Sequence, residues 1–409
     1  MLTYREALDR VLESAAPVAP RRVGLDEALG LVAAEDVVAA EPVPPFTNSG
    51  MDGFAVRAVD VASASADSPV RLRVLADLPA GSIASCEVTP GTALRIMTGA
   101  PLPQGADAVV PVESTSLAGD EVEVRKAVPG GANVRLAGED IAAGARVVER
   151  GAALGPGDLG VLAEVGAAEV SVHPRPRIAV ITTGDELVDV RERPGPGRIR
   201  DANIHAVCAQ AAAFGAVPVP CPRVPDRREA VAEALRQVVR TADVIVTTGG
   251  VSMGELDCVK DALADLGAEH VFWRVAQKPA GPLGFWRLEG KPVFGAPGNP
   301  VAAMIVMEEY VRPLLRRMMG HARLFRPERS AVLETPWTRR PGDDRLHFLR
   351  VSVREERGEL RARLSGPQGS GVLSSMARAN ALALIPAEAA EIPAGGRVLL
   401  HLVEEREDH

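Results

Sequence analysis

The chain has 409 residues, of which 46% are hydrophobic and 24% are charged, and its net charge at pH 7 is −8. One hydrophobic core rarely extends beyond about 250–300 residues, so we expect two to four domains. The composition excludes a disordered chain, and the negative charge argues against nucleic-acid binding through a basic surface.

Cysteine, histidine and apolar patterns narrow the class of protein further. The four cysteines form no C-x-x-C pair and the seven histidines form no H-x-x-x-H pattern, which argues against a disulfide framework and a zinc site. No run approaches the ~18 apolar residues of a membrane span, and the N-terminal residues lack the apolar stretch of a signal peptide. We therefore expect a cytoplasmic protein with no membrane contact.

The first 172 residues are predicted to form two domains, one inserted into the other. A helix at 3–15 begins with a T-x-x-E capping box of Thr3 and Glu6, and a short helix follows at 25–31. Residues 41–139 alternate in short runs broken by Gly and Pro, which predicts an inserted β domain. Residues 140–172 return to a mixed pattern, and we expect them to pack with residues 1–40 as an N-terminal mixed linking domain.

The rest of the chain predicts an α/β domain at 173–322 and a small C-terminal β-barrel at 323–409. In the former, buried-type strands alternate with helices, which is typical of a doubly wound parallel sheet. The strands are predicted at 178–183, 216–220, 243–248, 270–275 and 292–295, and the helices at 203–214, 227–240, 256–266 and 301–319. The fold class is therefore multidomain α/β plus β.

Three strands of the α/β domain end in polar or glycine-rich loops, which begin at Thr183, Gly249 and Gly295. Open α/β proteins bind ligands at the carboxyl edge of the sheet. Glycine lets backbone N–H groups approach a phosphate, and helix N-termini favour negative charge. The predicted substrate-binding residues are Thr183, Gly184, Asp185, Gly249, Gly250, Ser252, Pro297, Gly298 and Asn299.

Charged residues accompany these loops. Glu186 and Asp257 add carboxylates beside the predicted phosphate site, a combination that suits Mg²⁺, and both are predicted metal ligands. Lys278, one of only four lysines in the chain, follows a strand of the same domain and could neutralise a phosphate.

Each of these features also has a purely structural interpretation. A Gly-Gly loop after a strand is often only a tight turn. Asp226 and Asn203 stand where helix N-caps belong, and Asn299 followed by proline is a sound helix start without any ligand. Asp52 and Asp140 could be ordinary turn residues.

The set of motifs decides between these interpretations. In chain order they are TNSGMDGFAV (47–56), RIMTGAPLP (95–103), GEDI (138–141), TTGDEL (182–187), IRDAN (199–203), VPD (224–226), TTGGVSMGELD (247–257), QKPAGP (277–282), GAPGNPVAAM (295–304) and QGSGVLSSMARAN (368–380). This series resembles the molybdopterin molybdenumtransferase family of molybdenum-cofactor biosynthesis, whose eukaryotic relative is the C-terminal part of gephyrin. The resemblance covers about residues 2–400.

The resemblance implies an elongated homodimer of four-domain subunits. The active cleft lies between the α/β domain of one subunit and the inserted β domain of the other. There the family inserts molybdate into adenylylated molybdopterin and cleaves the pyrophosphate with magnesium, which releases AMP. Its α/β domain is shared with the molybdopterin adenylyltransferases, so contact with such a partner is possible.

Carried over motif by motif, the resemblance also assigns the catalytic residues. It places Asp52, Thr98 and Asp140 in the cleft from the partner subunit, and Glu186, Asp226 and Asp257 on its acidic side. Lys278 matches a family lysine, and Arg350 and Ser370 match residues of the C-terminal domain that face the same cleft. Many family members read K-P-G-K-P where this chain has K-P-A-G-P, so Gly281 replaces a second lysine, and Arg274 or Arg287 could supply the missing charge.

Three rival functions remain at this point. An adenylyltransferase would need only the α/β domain, so the flanking domains argue against it. A gephyrin-like scaffold without catalysis would have no use for carboxylates beside a phosphate cradle. Preference for tungstate over molybdate is left open.

Overall fold

The computed structural model describes residues 1–250 and 258–403. Its N-terminal helix, Tyr4–Glu13, begins with the predicted capping box: the Glu6 N–H donates to Thr3 Oγ1 at 3.3 Å and the Thr3 N–H donates to Glu6 Oε2 at 2.8 Å. The apolar face of this helix packs into the core of the α/β domain. Its buried members are Ala7, Leu8, Val11 and Leu12.

A three-stranded antiparallel sheet joins the two ends of the first 173 residues. Its strands, in sheet order, are Arg21–Gly24, Glu169–His173 and Val32–Ala33. Two helices, Leu25–Ala28 and Pro156–Glu164, bury apolar side chains in the same cluster. The chain therefore leaves and re-enters this unit around residues 40–140, while the exact division into four domains stays a prediction.

The intervening residues form a six-stranded sheet. In sheet order its strands are Ala108–Pro111, Gly53–Val56, Thr92–Ile96, Val70–Leu78, Glu121–Val124 and Thr115–Ala118. The central pair is parallel and the other neighbours are antiparallel. Apolar clusters cover both faces, so this unit has its own core. Short two-stranded ladders, Asn48–Ser49 with Val134–Arg135 and Val37–Val38 with Arg146–Val148, flank the sheet.

The central domain is the predicted α/β fold, but its sheet is mixed. The strand order is Val217–Pro220, Arg177–Thr182, Val244–Thr248, Lys291–Ala296, Gly284–Leu288 and Glu269–Trp273. The first four are parallel, and Gly284–Leu288 is antiparallel to both of its neighbours. The sequence analysis missed that strand. The outermost strand, Glu269–Trp273, is antiparallel to Gly284–Leu288, so it runs in the same direction as the four parallel strands and ends at the same edge of the sheet.

Helices cover both faces of this sheet and close two apolar cores. One face carries Asn203–Ala213 and the long helix that begins at Pro300, and the other carries Arg228–Val239 and Cys258–Asp265. The long helix runs Pro300–Val306 and Arg312–Met318 through a π-helical turn at Met307–Val311. No helix in the described part of the chain is long and apolar enough to cross a membrane.

The C-terminal domain is a closed five-stranded barrel. Around the barrel its strands are Leu346–Glu356, Glu359–Leu364, Glu328–Leu333, Arg397–Leu402 and Ala381–Ile385, and the last pairs again with the first. A short helix, Leu373–Ala377, and a two-stranded ladder, Trp337–Thr338 with Glu391–Ile392, lie outside this ring. A two-residue strand of the central domain, Gln277–Lys278, pairs in parallel with the start of the first barrel strand. This pairing fixes the barrel beside the carboxyl edge of the central sheet.

Candidate functional site

The three predicted loops meet at the carboxyl edge of the central sheet. Thr182 pairs with Thr248, and Thr248 in turn pairs with Ala296, so the three strands end level with one another. The Asn203 side chain holds two of the strand ends together, because its Nδ2 donates to the Gly298 carbonyl at 2.8 Å and to Thr248 Oγ1 at 3.3 Å.

The Gly-Gly loop lies so close to its neighbours that only glycine fits. Gly249 has φ +91° and Gly250 has φ +63°. A Cβ on Gly249 would lie 2.4 Å from the Thr183 carbonyl oxygen, and one on Gly250 would lie 2.8 Å from Val259 Cγ2. The Thr183 hydroxyl is buried in this contact and has no hydrogen-bond partner among residues 1–250 and 258–403. A buried, unpaired hydroxyl is uncommon, and a bound ligand would satisfy it.

The predicted helix-cap position is confirmed for Asn299, which is followed by proline at the start of its helix, and is wrong for Asn203 and Asp226. Asn203 is the first residue of its helix, and Asp201 Oδ1 accepts the Ile204 N–H there at 3.1 Å. Asn299 occupies the cap position of the long helix but makes no side-chain cap bond, and Asp226 precedes the cap position of the helix Arg228–Val239. The Asn203 side chain instead ties the end of one strand to the loop after another.

The acidic side of the edge is only partly described. Asp185, Glu186 and Asp226 are exposed, and the Asp226 N–H donates to Asp185 Oδ1 at 3.3 Å, so the two loops touch. Glu186 folds back over Gly184, where a Cβ would lie 2.8 Å from its Oε2. No group of three potential metal ligands occurs among the described residues. Two predicted site residues, Ser252 and Asp257, lie outside them.

A cleft of about 560 Å³ separates this edge from the barrel, and we call it the interdomain cleft. Five predicted site residues line it: Lys278, Pro297, Asn299, Arg350 and Ser370. The loop of Ser370 is tied to the edge, because the Ser370 carbonyl accepts the Val301 N–H at 3.2 Å at the start of the long helix. The sheet edge and the barrel therefore contribute to one cavity.

The charged side chains that line the interdomain cleft are basic. Its described lining includes Lys278, Arg340, Arg345 and Arg350 but no carboxylate. In a protein of net charge −8, such a local field concentrates anions at one place on the surface.

Arg350 is almost completely buried and binds protein groups. Its Nε donates to Ser375 Oγ at 3.1 Å, and its two Nη atoms donate to the carbonyl oxygens of Pro367, Gln368 and Gly369 at 3.0–3.2 Å. Burial lowers its pKa to about 10. Arg350 thus shapes the loop that presents Ser370 to the cleft.

Gly281 lies in the cleft wall opposite a barrel arginine. A Cβ on Gly281 would lie 3.1 Å from the Gln277 carbonyl oxygen and 4.0 Å from Arg345 Nη1. Arg274 and Arg287, the predicted substitutes for the second lysine, do not line the cleft. Arg287 donates instead to Glu269 Oε1 at 2.6 Å, on the far strand pair of the sheet. Arg345 is therefore the cation that lies near position 281.

The predicted residues of the inserted β domain lie apart from the interdomain cleft of their own chain. The Asp52 carboxylate accepts two hydrogen bonds of 2.7 Å from the N–H and hydroxyl of Thr98. These bonds, the backbone one first, hold the pKa of Asp52 below its ordinary value. Asp140 is exposed, and none of the three lines the cleft.

Sequence reasoning missed Asp343, Arg345 and His347 as site residues. All three lie in the DDRLHF segment that leads into the first barrel strand. The only available signal was a dense run of charge at the start of a predicted strand, which is usually a solvated surface.

The fold and the site define a multidomain protein with an anion-binding cleft at the carboxyl edge of an α/β domain. Comparison with known proteins makes this class specific. Residues 2–166 match the family model "MoeA N-terminal region (domain I and II)", residues 179–317 match "Probable molybdopterin binding domain", and residues 330–403 match "MoeA C-terminal region (domain IV)". The chain belongs to the MoeA family.

Individual relatives are similar in sequence to this chain over almost its whole length. Molybdopterin molybdenumtransferase 2 of Mycobacterium tuberculosis (strain H37Rv) is 40% identical over 381 residues, which is 92% of this chain and 93% of the relative. Molybdopterin molybdenumtransferase of Bacillus subtilis (strain 168) is 33% identical, covering 94% and 90%. The crystal structure of the molybdopterin biosynthesis MoeA protein from Pyrococcus horikoshii superposes with a TM-score of 0.85 at 30% identity, covering 99% of this chain and 100% of that one.

Proposed function

We propose that this protein is a molybdopterin molybdenumtransferase, which inserts molybdate into adenylylated molybdopterin and releases AMP. The observation that carries the proposal is the interdomain cleft, with basic side chains and no carboxylate among its described lining residues. Both substrates are anions, and the cleft adjoins a glycine loop of the kind that binds phosphate. The names of the relatives agree with this reaction.

The two substrates divide the site between them. The phosphates of the pterin nucleotide bind the loop of Thr183, Gly184 and Asp185, the Gly249–Gly250 turn with Ser252, and the segment Pro297, Gly298 and Asn299. Molybdate binds deeper against the barrel, where the Lys278 ammonium and the Ser370 hydroxyl line the cleft and act as donors to an oxyanion. Lys278 also neutralises the charge that separates when the pyrophosphate bond breaks.

Magnesium is the proposed cofactor, with Glu186 and Asp257 as its ligands and Asp226 beside them. The donor set fits, because Mg²⁺ prefers carboxylate oxygen and usually keeps several waters while it binds one or two carboxylates and substrate phosphates. The described residues therefore need no cluster of three carboxylates. When bound, Mg²⁺ neutralises charge on the phosphate that leaves with AMP. The protein's part is to supply Glu186 from the loop that follows the strand Arg177–Thr182, and Asp257 as the second carboxylate.

The working assembly is proposed to be a homodimer. Asp52, Thr98 and Asp140 are exposed and do not line the cleft of their own subunit, so we assign them to the cleft of a partner. Asp52→Ala and Lys278→Met variants should each be inactive. When the two are co-expressed, about half of the dimers are mixed and one site of each mixed dimer is intact, so about a quarter of wild-type activity returns. Failure of this complementation, with dimers verified, would contradict a shared site.

The rival functions are less well supported. A molybdopterin adenylyltransferase or a gephyrin-like scaffold does not account for the basic cleft between the central domain and the barrel. We propose that the adenylyltransferase is instead an upstream partner, which delivers the adenylylated pterin in the cytoplasm.

The direct test is an AMP-release assay with purified protein, adenylylated molybdopterin, Mg²⁺ and molybdate. Wild-type protein should release AMP only when molybdate is present, and Asp257→Ala should abolish this release. Asp261→Ala is the matched control, because Asp261 is an exposed carboxylate on the following helix. Tight binding of the pterin nucleotide without release would contradict the proposal, and release with tungstate but not molybdate would correct the substrate.

A further inference from the structure

A buried carboxylate, Asp343, lies behind the basic wall of the interdomain cleft. Its side chain is 7% exposed, and it belongs to the segment that leads into the first barrel strand. Arg345 donates through Nε to Asp343 Oδ1 at 2.7 Å and through Nη2 to Oδ2 at 2.9 Å. The Lys278 ammonium, which comes from the central domain, donates to the same Oδ2 at 3.2 Å. One carboxylate therefore holds two cations that come from different domains.

The local environment keeps this carboxylate charged. Hydrogen bonds from Arg345 and then from Lys278 outweigh burial and hold the pKa of Asp343 well below its ordinary value. His347 Nε2 also lies 3.1 Å from Asp343 Oδ2, but it is out of line for a hydrogen bond, and burial lowers its pKa. Asp343 is thus an anion over the whole physiological range, with Lys278 and Arg345 as its hydrogen-bond donors.

Both cations keep donors for a ligand. Lys278 is 39% exposed and Arg345 is 35% exposed, and both line the cleft. An ammonium has three N–H donors, of which Lys278 uses one on Asp343. Arg345 uses its Nε and Nη2 edge, while its Nη1 has no acceptor among the described residues and lies nearest to position 281.

We propose that Asp343 is a positioning residue, which holds the Lys278 ammonium and the Arg345 guanidinium together on the cleft wall so that they bind one tetrahedral oxyanion between them. The inference rests on the proposed function and adds to it the residue that sets the geometry of the oxyanion site. Without the carboxylate, the long side chains of Lys278 and Arg345 regain rotamer freedom that binding must then remove.

The direction in which Asp343→Asn changes the affinity for molybdate distinguishes positioning from a purely electrostatic effect. If Asp343 only weakened the positive field of the cleft, Asp343→Asn would tighten oxyanion binding. If it only joined the barrel to the central domain, the variant would lose thermal stability and leave oxyanion affinity unchanged. Positioning requires weaker binding although the cleft has become more positive.

The probe is molybdate itself. Its Kd is measured by calorimetric titration of the full-length protein, and its KM is measured in the AMP-release assay. For Asp343→Asn we expect the Kd and KM for molybdate to rise about tenfold, equivalent to one well-placed charge-assisted hydrogen bond. The KM for the pterin nucleotide should change less than about twofold, because its proposed phosphate contacts are the loops at the sheet edge, which do not touch Asp343. Asp344→Asn is the matched control, because Asp344 is exposed, adjacent and equally charged.

Asp343→Glu provides the second variant, because it keeps the charge and should restore part of the affinity for molybdate. An unchanged or lower Kd in a folded Asp343→Asn protein would overturn the inference, as would equal effects of Asp343→Asn and Asp344→Asn. The two proposals fail differently. Molybdate binding that depends on Asp343 without any AMP release would reject the transferase function alone, whereas AMP release by Asp343→Asn with an unchanged KM for molybdate would reject the positioning role alone.

Discussion

Replacement of Arg350 tests whether this arginine builds the site or binds the substrate. Its guanidinium is 1% exposed and makes four hydrogen bonds, three of them to the carbonyl oxygens of residues 367–369. Arg350→Met fills much of the same volume but leaves these acceptors unpaired, at about 1–3 kcal/mol for each buried group. Removal of a buried charge offsets part of this cost. We expect a net local destabilisation of about 3 kcal/mol in the loop that carries Ser370.

Hydrogen exchange measures this local effect directly. About 3 kcal/mol corresponds to roughly a hundredfold faster exchange of the amides in residues 366–373, provided they exchange through local opening. Turnover should fall with it, because Ser370 loses its fixed position. Arg350→Lys should resemble Arg350→Met, since an ammonium cannot reach all four acceptors. Unchanged exchange in Arg350→Met together with a raised KM for molybdate would refute this reasoning and make Arg350 a direct ligand.

Three further predictions concern other contacts. Gly249→Ala should lower the free energy of unfolding by about 2–3 kcal/mol and weaken pterin-nucleotide binding, because the new Cβ would lie 2.4 Å from the Thr183 carbonyl oxygen on a backbone of positive φ. Thermal unfolding and nucleotide titration measure the two effects. A variant with unchanged stability and affinity would contradict the close contact. His401 Nδ1 lies 3.0 Å from both Glu309 carboxylate oxygens, and although burial lowers its pKa, the bond to Glu309 and the charges of Glu309, Glu328 and Glu308 leave the pKa raised. A raised folded pKa stabilises the protein fully below the unfolded value of about 6.5, and this contribution is lost as the pH rises through the folded pKa, so the thermal midpoint should fall over that range and His401→Gln should flatten the profile. Arg345→Ala should raise the Kd for molybdate about tenfold. Adding Gly281→Lys to Arg345→Ala should recover part of the affinity, whereas Gly281→Lys in the wild type should not raise it, because a Cβ at position 281 lies 4.0 Å from Arg345 Nη1. An equal gain in affinity in both backgrounds would contradict the replacement of one cation by the other.

Much of the architecture could be predicted from the sequence because its patterns are local. The capping box at Thr3 and Glu6, the buried strands of the central domain and the alternation in the barrel all report short-range periodicity. The strand Gly284–Leu288 was missed, although it is as long as strands that were predicted, because it begins at a glycine two residues after Pro282 and so resembles the continuation of a loop. The π-helical turn at Met307–Val311 was invisible for a related reason, since it leaves the apolar pattern of the long helix continuous.

Part of the candidate site could likewise be predicted from the sequence, and part could not. Loops that follow parallel strands must meet at one edge, so the proximity of Thr183, Gly249 and Gly298 followed from topology alone. The contribution of the barrel did not, because the pairing of Gln277–Lys278 with the first barrel strand joins residues about 70 positions apart. That contact brings Asp343 and Arg345 to Lys278, and no local pattern in the sequence predicts it. The capping interpretation of Asn203 failed because a tertiary contact with Gly298 holds its side chain.

The most direct test of the transferase function is the amount of molybdenum gained by the pterin for each AMP released. Purified protein is incubated with adenylylated molybdopterin, Mg²⁺ and molybdate; the pterin product is then separated, and its molybdenum is measured by mass spectrometry beside the AMP. The proposed function predicts equimolar molybdenum and AMP, both lost in the Lys278→Met variant. AMP release without molybdenum in the pterin would show a hydrolase and contradict the central claim.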